Sequence, residues 1–261
     1  MTMPQALAVV GAILLTLLLY FGFDTRSPKQ QKEIERRELA GSQIDIKPFV
    51  ITAKGSLADV DLREIEQLEA ELARSDSDSV RSQTLKKISG AWYKHQNYLV
   101  AGHFAEQVAE IDSTELAWSI AGTTYFPGIS NADQVISNAC FEKAVECLEY
   151  AISLNPDEIS HRVNLAMVYV RKPTQDNPMQ GIQMLIGLNQ NFPDNVLVLS
   201  TLGQLALETG QWERAKERLE RALQLDQNNS KVICMLADAY RQIGDVRASD
   251  MQTKCELLTV K

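Results

Sequence analysis

The side chains that most often carry chemistry are sparse and dispersed along this chain of 261 residues. The three histidines, His95, His103 and His161, are spaced so that no two sit one helix turn apart, which denies them the paired geometry of a helical metal site. Cys140 and Cys147 lie seven residues apart on one helix face, but without histidine support two thiols make a poor metal site, and core filling is the better reading. Gly128-Ile129-Ser130-Asn131-Ala132 superficially resembles a nucleophile elbow, yet it lacks the second glycine and any preceding strand pattern. No glycine-rich phosphate loop or paired-acid motif occurs, so the expectation is a chain without catalysis, cofactor or metal. A formal net charge of -8 disfavours nucleic acid; Lys86, Lys87 and Lys94 are the one basic cluster in the C-terminal two-thirds and read as a solvated helix face.

The elements that must carry these residues follow a 34-residue register, visible from Leu85, Ile88, Trp92, Tyr98 and Ala101 through to Leu236, Tyr240 and Gly244. A period of this length predicts stacked helical hairpins. Small residues recur at the eighth position (Ser89, Gly122, Ala166, Gly203, Ala237), where two helix backbones must approach. A second small series, Ala101, Ala144, Gly181, Ala215 and Ser249, falls on the return helix, with Tyr98, Phe141, Trp212 and Val246 filling the space around it. Gly203 and Ala215 are expected to face each other. Gly210 and Gly244 suit left-handed turns, while Asn155-Pro156 and Phe192-Pro193 stop helices.

The clearest copy, Val196 to Asn229, carries Leu199, Leu202, Gly203, Gly210, Trp212, Ala215, Leu219 and Ala222, and on these residues the chain resembles the tetratricopeptide repeat family. The resemblance implies an all-α, right-handed solenoid of about five hairpins, 82–114, 115–158, 159–195, 196–229 and 230–261. The second is lengthened around Phe126 to Asp133, and the insertion is expected to project from the turn; the third is lengthened at Lys172 to Pro178. Leu62, Ile65, Leu68 and Leu72 form one stripe of a capping helix within 56–76, and a polar final helix closes the other end.

Ala6 to Phe23 contain no charge and are long enough to span a thin bilayer, so residues 4–23 read as a single-pass anchor. No Lys or Arg precedes the run and no Ala-x-Ala site follows it, which argues against a cleaved signal. Arg26, Lys29, Lys32, Arg36 and Arg37 come after it, and by the positive-inside rule they place the repeats in the cytoplasm; the alternative is periplasmic. Cys140, Cys147, Cys234 and Cys255 show no disulfide-framework spacing and read as free thiols suited to a reducing compartment. Residues 24–55 read as a partly ordered linker, extended over Ile44 to Ile51.

In the family that the chain resembles, a partner protein or peptide lies in the concave groove lined by the first helix of each unit. The matching positions here include Lys86, Tyr93, Lys94, Ile120, Thr123, Asn164, Met167, Arg171, Gln204, Asp238 and Arg241, with Phe126 and Ile129 of the insertion as a competing site. The carboxylate clamp used by some members has no counterpart at Lys86, Gly90, Ile120, Ser160 and Asn164. The expected function is a membrane-anchored, non-catalytic scaffold or adaptor, resembling bacterial single-anchor repeat proteins. Its alternatives are a periplasmic assembly or chaperone-like factor and a regulatory subunit of an enzyme complex.

Overall fold

The computed structural model describes residues 44–259, and these residues form twelve α-helices and one 3-10 turn, with no strand among them. The expected anchor, 4–23, and most of the expected linker lie outside the described residues. Among the described residues no helix is long and apolar enough to cross a membrane. The helices all belong to the unit Ile46–Lys261.

Two helices come first, α1 (Lys47–Gly55) and α2 (Asp59–Ala73). The extended segment expected over Ile44 to Ile51 is instead helical from Lys47. Pro48 sits in the first turn, where its missing N–H costs nothing, and Ala53 is buried against the body of the unit. On α2, Ile65 is buried, and Leu68 and Leu72 pack beside it onto Trp92, Val100 and Ala101.

Five antiparallel hairpins follow: α3 (Asp78–Lys94) with α4 (Tyr98–Asp112), α5 (Glu115–Tyr125) with α6 (Gln134–Leu154), α7 (Ile159–Arg171) with α8 (Gln180–Asn191), α9 (Val196–Glu208) with α10 (Trp212–Leu225), and α11 (Ser230–Ile243) with α12 (Ala248–Thr259). The first helix of every hairpin starts on a side-chain cap. Ser77, Thr114, Glu158, Asn195 and Asn229 each accept from a backbone N–H two or three residues on, satisfying a donor that the helix itself cannot.

Close approach within the hairpins falls where the small residues stand. A Cβ on Gly122 would meet Leu148 at 2.6 Å, one on Gly203 would meet Leu219 at 2.7 Å, and one on Gly181 would meet the Ala166 carbonyl oxygen at 2.4 Å. Gly203 thus lies against Leu219, one helix turn beyond Ala215, which is buried among Leu199, Leu219 and Leu236. The cores run through three successive helices: one joins α7, α8 and α9 through Val163, Leu185 and Val198, and the next joins α9, α10 and α11 through Leu199, Leu219 and Leu236.

Three departures are local. The insertion does not project; Phe126–Ser130 winds into the 3-10 turn, Gly128 sits against Cys140 Sγ, and Ser137 Oγ donates to the Ile129 carbonyl at 2.7 Å. In the last hairpin Val246 is 94% exposed and Ser249 is also exposed, so Ala248 and Met251 make the packing contacts instead. Cys234 and Cys255 are not free thiols but a disulfide with Cα atoms 4.9 Å apart. Their separation of 21 residues hid the pairing, because only the antiparallel return of α12 brings the two positions level.

Gly210 and Gly244 take φ of +71° and +70°, whereas the first hairpin has Gln96 at +59° in the corresponding turn. A left-handed non-glycine is strained, so Gln96→Gly is expected to stabilise the first hairpin by about 0.5–1 kcal/mol, read as a higher urea midpoint at unchanged slope. Removing the disulfide with Cys234→Ser and Cys255→Ser is expected to cost about 2–4 kcal/mol, with amide exchange rising first in α12.

Candidate functional site

The first three helices of the hairpin series enclose a cavity of about 390 Å³. Lys86, Ser89, Gly90 and Tyr93 of α3 line one wall, Leu116, Ala117, Ile120 and Thr124 of α5 the other, and Ala105, Val108 and Asp112 of α4 the floor. Positions 86, 90 and 93 share a face of α3 by helical spacing, and 116, 120 and 124 share one of α5. The lining is apolar and part of it meets solvent: Tyr93, Leu116 and Ile120 are 45, 62 and 52% exposed. Three neighbouring large apolar groups left in water are unusual for a helix face with no function.

Polar groups at the rim are fixed. Lys86 Nζ lies 2.8 Å from Asp112 Oδ2, and Ser82 Oγ donates to Asp112 Oδ1 at 2.7 Å; these bonds, the one from Lys86 foremost, hold the Asp112 carboxyl below its usual range. Lys87 reaches Glu71 on α2 at 3.3 Å. Tyr93 is held edge-on against Tyr98 with ring centroids 5.1 Å apart. Lys94 is exposed, with no ion pair among the described residues.

Gly90 stands apart from the packing glycines. It is an exposed residue inside α3 without a left-handed backbone, and a Cβ there would meet nothing within 4 Å. Such a glycine is less favourable than alanine by roughly 0.8–1.0 kcal/mol, and neither turn geometry nor a neighbouring helix accounts for it.

Of the groove residues expected from the register, Lys86, Tyr93 and Ile120 meet at this cavity. The others are distributed along later helices. Thr123 donates back to the Ser119 carbonyl, Asn164 is half-buried on α7, and Met167 packs at the edge of the α7–α9 core. Arg171 sits over the Phe126 ring, 5.3 Å from its centroid, so these two tie α7 to the end of α5. Gln204 donates to Glu208, and Asp238 pairs with Arg241. Ile129 is 4% exposed and cannot serve as a surface anchor. Sequence reasoning passed over Leu116, although it occupies the second position of its unit, and it had no signal for Ala105 and Val108, which reach the cavity from the return helix.

Titratable groups buried elsewhere serve packing. Tyr125 donates to Glu106 Oε2 at 2.9 Å, and Glu106 Oε1 receives Lys143 Nζ at 3.1 Å, with Glu146 at 3.0 Å from the same ammonium. Burial, and then the Glu106 carboxylate, push the Tyr125 hydroxyl well above its ordinary range. Burial alone would lower Lys143, but Glu106 and Glu146 outweigh it and keep the ammonium charged. Gly102 makes room for this arrangement, since a Cβ there would meet the Tyr125 ring at 2.3 Å. Cys140 is pushed up to about 12 by burial, which makes it a poor nucleophile.

Capped helix pairs, close approach at small residues and cores passed from hairpin to hairpin define a helical-hairpin repeat protein. Residues 175–232 match the tetratricopeptide repeat family model, so that stretch carries tetratricopeptide repeats. Among solved structures it is similar to yeast Tom70, with 12% identity over 76% of this chain and 48% of that one at a TM-score of 0.50. It is also similar to a tetratricopeptide repeat protein from Parabacteroides merdae (13% identity, 85% and 78% covered, TM-score 0.48) and to MamA from Desulfovibrio magneticus RS-1 (15%, 68% and 94%, TM-score 0.40). At such identity the Tom70 likeness is one of fold alone. A search of curated proteins finds no match.

His161, 2% exposed, has no hydrogen-bond partner on either ring nitrogen among the described residues, and burial lowers its pKa against the opposing pull of Glu158 and Glu115. The folded ring stays neutral where the unfolded one, near 6.5, takes up a proton. Its contribution to stability is therefore present above that value and lost as pH falls. Between about pH 7.5 and 6 the wild type is expected to lose stability more steeply than His161→Phe; parallel urea-unfolding curves would show that the ring is not held neutral.

Proposed function

We propose that this chain is a membrane-anchored, non-catalytic scaffold that binds a segment of another protein in the cavity between α3 and α5. The observation that carries this reading is the convergence of solvent-exposed Tyr93, Leu116 and Ile120 around one cavity. The tetratricopeptide repeat supports a protein partner, and the uncharged run Ala6 to Phe23 supports attachment to a membrane through a single span.

A second reading, an assembly or chaperone-like factor on the periplasmic side, is favoured by one specific observation. The Cys234–Cys255 disulfide suits an oxidising compartment, against the positive-inside reading of Arg26 to Arg37. Reporter fusions at the C terminus, one active only in the cytoplasm and one only outside it, separate the two.

Affinity capture from detergent extracts tests the groove. Tyr93→Ala with Ile120→Ser removes two exposed apolar groups without opening the core, so helicity and melting are expected to hold while partner capture weakens by more than about 1 kcal/mol. Full capture by that variant, together with loss on replacing the exposed residues Met179 and Ile186, would move the site to α8.

A further inference from the structure

The last hairpin closes differently from the four before it. Return helices α4, α6, α8 and α10 each bury at least three residues, among them Ala215, Leu219 and Ala222 of α10, whereas no residue of α12 from Ala248 to Leu258 is buried. Its inward stripe is Ala248, Met251 and Cys255, spaced by the helical period and only half-buried, and Cys255 is the member bonded to α11. Gln252 donates to Glu256 and Thr253 to the Ser249 carbonyl, so those bonds stay within α12. The near end of the helix is pinned at its turn: Arg247 stands over the Tyr240 ring, 4.2 Å from its centroid, and reaches Glu220 at 3.0 Å and Asp245 at 2.7 Å. The far end is held by the disulfide to Cys234. A helix of 12 residues is marginal in water without packing, so the covalent bond decides whether the far half of α12 stays on α11.

We propose that Cys234 and Cys255 form a redox latch: as the disulfide they hold α12 shut over the end of the array, and as two thiols they let the far half of α12 fray about the Arg247 anchor. Both cysteines are half-buried, so the bond is open to a thiolate, whereas Cys140 and Cys147 are buried and take no part. A dithiol reductant opens the latch in two exchanges. Its first thiolate attacks one sulfur and the S–S bond breaks, giving a mixed disulfide and one cysteine thiolate; its second thiol then displaces the other cysteine. The cysteine pair gains two electrons and two protons, and the reductant leaves as its own disulfide. Opening uncovers the side of α11 that carries Ala237, buried one turn from Cys234, so the array ends on an apolar helix face instead of a polar one.

The test uses the full-length chain in detergent, isolated without reductant and then exposed to dithiothreitol without denaturant. Alkylation followed by intact mass is expected to add two groups after reduction and none before, since the two remaining thiols are buried. Amide exchange between Met251 and Thr259 is expected to quicken at least roughly tenfold on reduction, while α3 to α10 change by less than about twofold, and reoxidation restores the protection. Cys234→Ser with Cys255→Ser is expected to exchange like the reduced chain whether or not dithiothreitol is present. A bond that resists dithiothreitol in the folded chain, exchange in α12 unmoved by reduction, or protection lost evenly from α3 to α12 would overturn the latch; the last outcome would make the disulfide a staple of the whole array. A response to dithiothreitol in the doubly substituted chain would overturn it as well, since no disulfide remains there to open.

Discussion

Helix backbones approach closely within each hairpin because a side chain is missing or minimal at the crossing. The space a Cβ would take on Gly122 is filled by Leu148, and that on Gly203 by Leu219; in the third hairpin the return helix contributes the gap, with Gly181 against the Ala166 carbonyl. Packing this dense leaves no room for an added methyl group without displacing the facing leucine at Gly122 and Gly203, or the facing backbone at Gly181. The hairpin formed in this way still has an open apolar side, which the next hairpin covers, and so the cores pass from α7 through α8 to α9 and from α9 through α10 to α11. Stability in such an array is a sum of units and nearest-neighbour interfaces, so the ends need closing. Here α1 and α2 lie over Trp92 and Ala101, while a disulfide ties the partly exposed last helix to its partner.

The candidate site is a by-product of the same geometry. Helices α3 and α5 are spaced by the α4 backbone between them, and the side chains of Ala105 and Val108 are too short to fill the gap, which leaves a cavity walled by whatever faces the groove from α3 and α5. Tyr93 is steadied by Tyr98, and Lys86 by Asp112, so the rim is organised before any partner arrives. A rim already ordered has less rotamer freedom to lose on binding, which favours affinity. The Glu106–Tyr125–Lys143 network on the neighbouring interface does a different job. Each charged group in it is paired and hydrogen-bonded, which ties the first hairpin to the second and leaves no group poised for proton transfer.

Much of the architecture was legible in the sequence, since period, small residues and turn glycines are local consequences of helical geometry: Gly210 and Gly244 adopt the left-handed turns their spacing implies, and Ile65 is buried as its stripe requires. The site was legible in part. Register placed Lys86, Tyr93 and Ile120 on groove-facing positions, and would have placed Leu116 there too. It misjudged Ile129, because an insertion carries no register and its burial against the second hairpin depends on Cys140 and Gly128 making a gap of the right depth.

By itself, then, the sequence determined which segments are helices of a repeated hairpin, where they turn, and which face carries the core in all but the last helix, because a 34-residue period with small residues at fixed positions is the signature of stacked helical hairpins. Tertiary structure alone decided the matters that depend on two distant segments meeting. It brought Cys234 level with Cys255, drew Ile129 inward, carried Arg171 over Phe126, turned Gly203 toward Leu219, and left open the space beside Gly90. Each is set by the distance and angle between neighbouring helices, quantities that a linear pattern of apolar and polar residues constrains only to within a side chain's width.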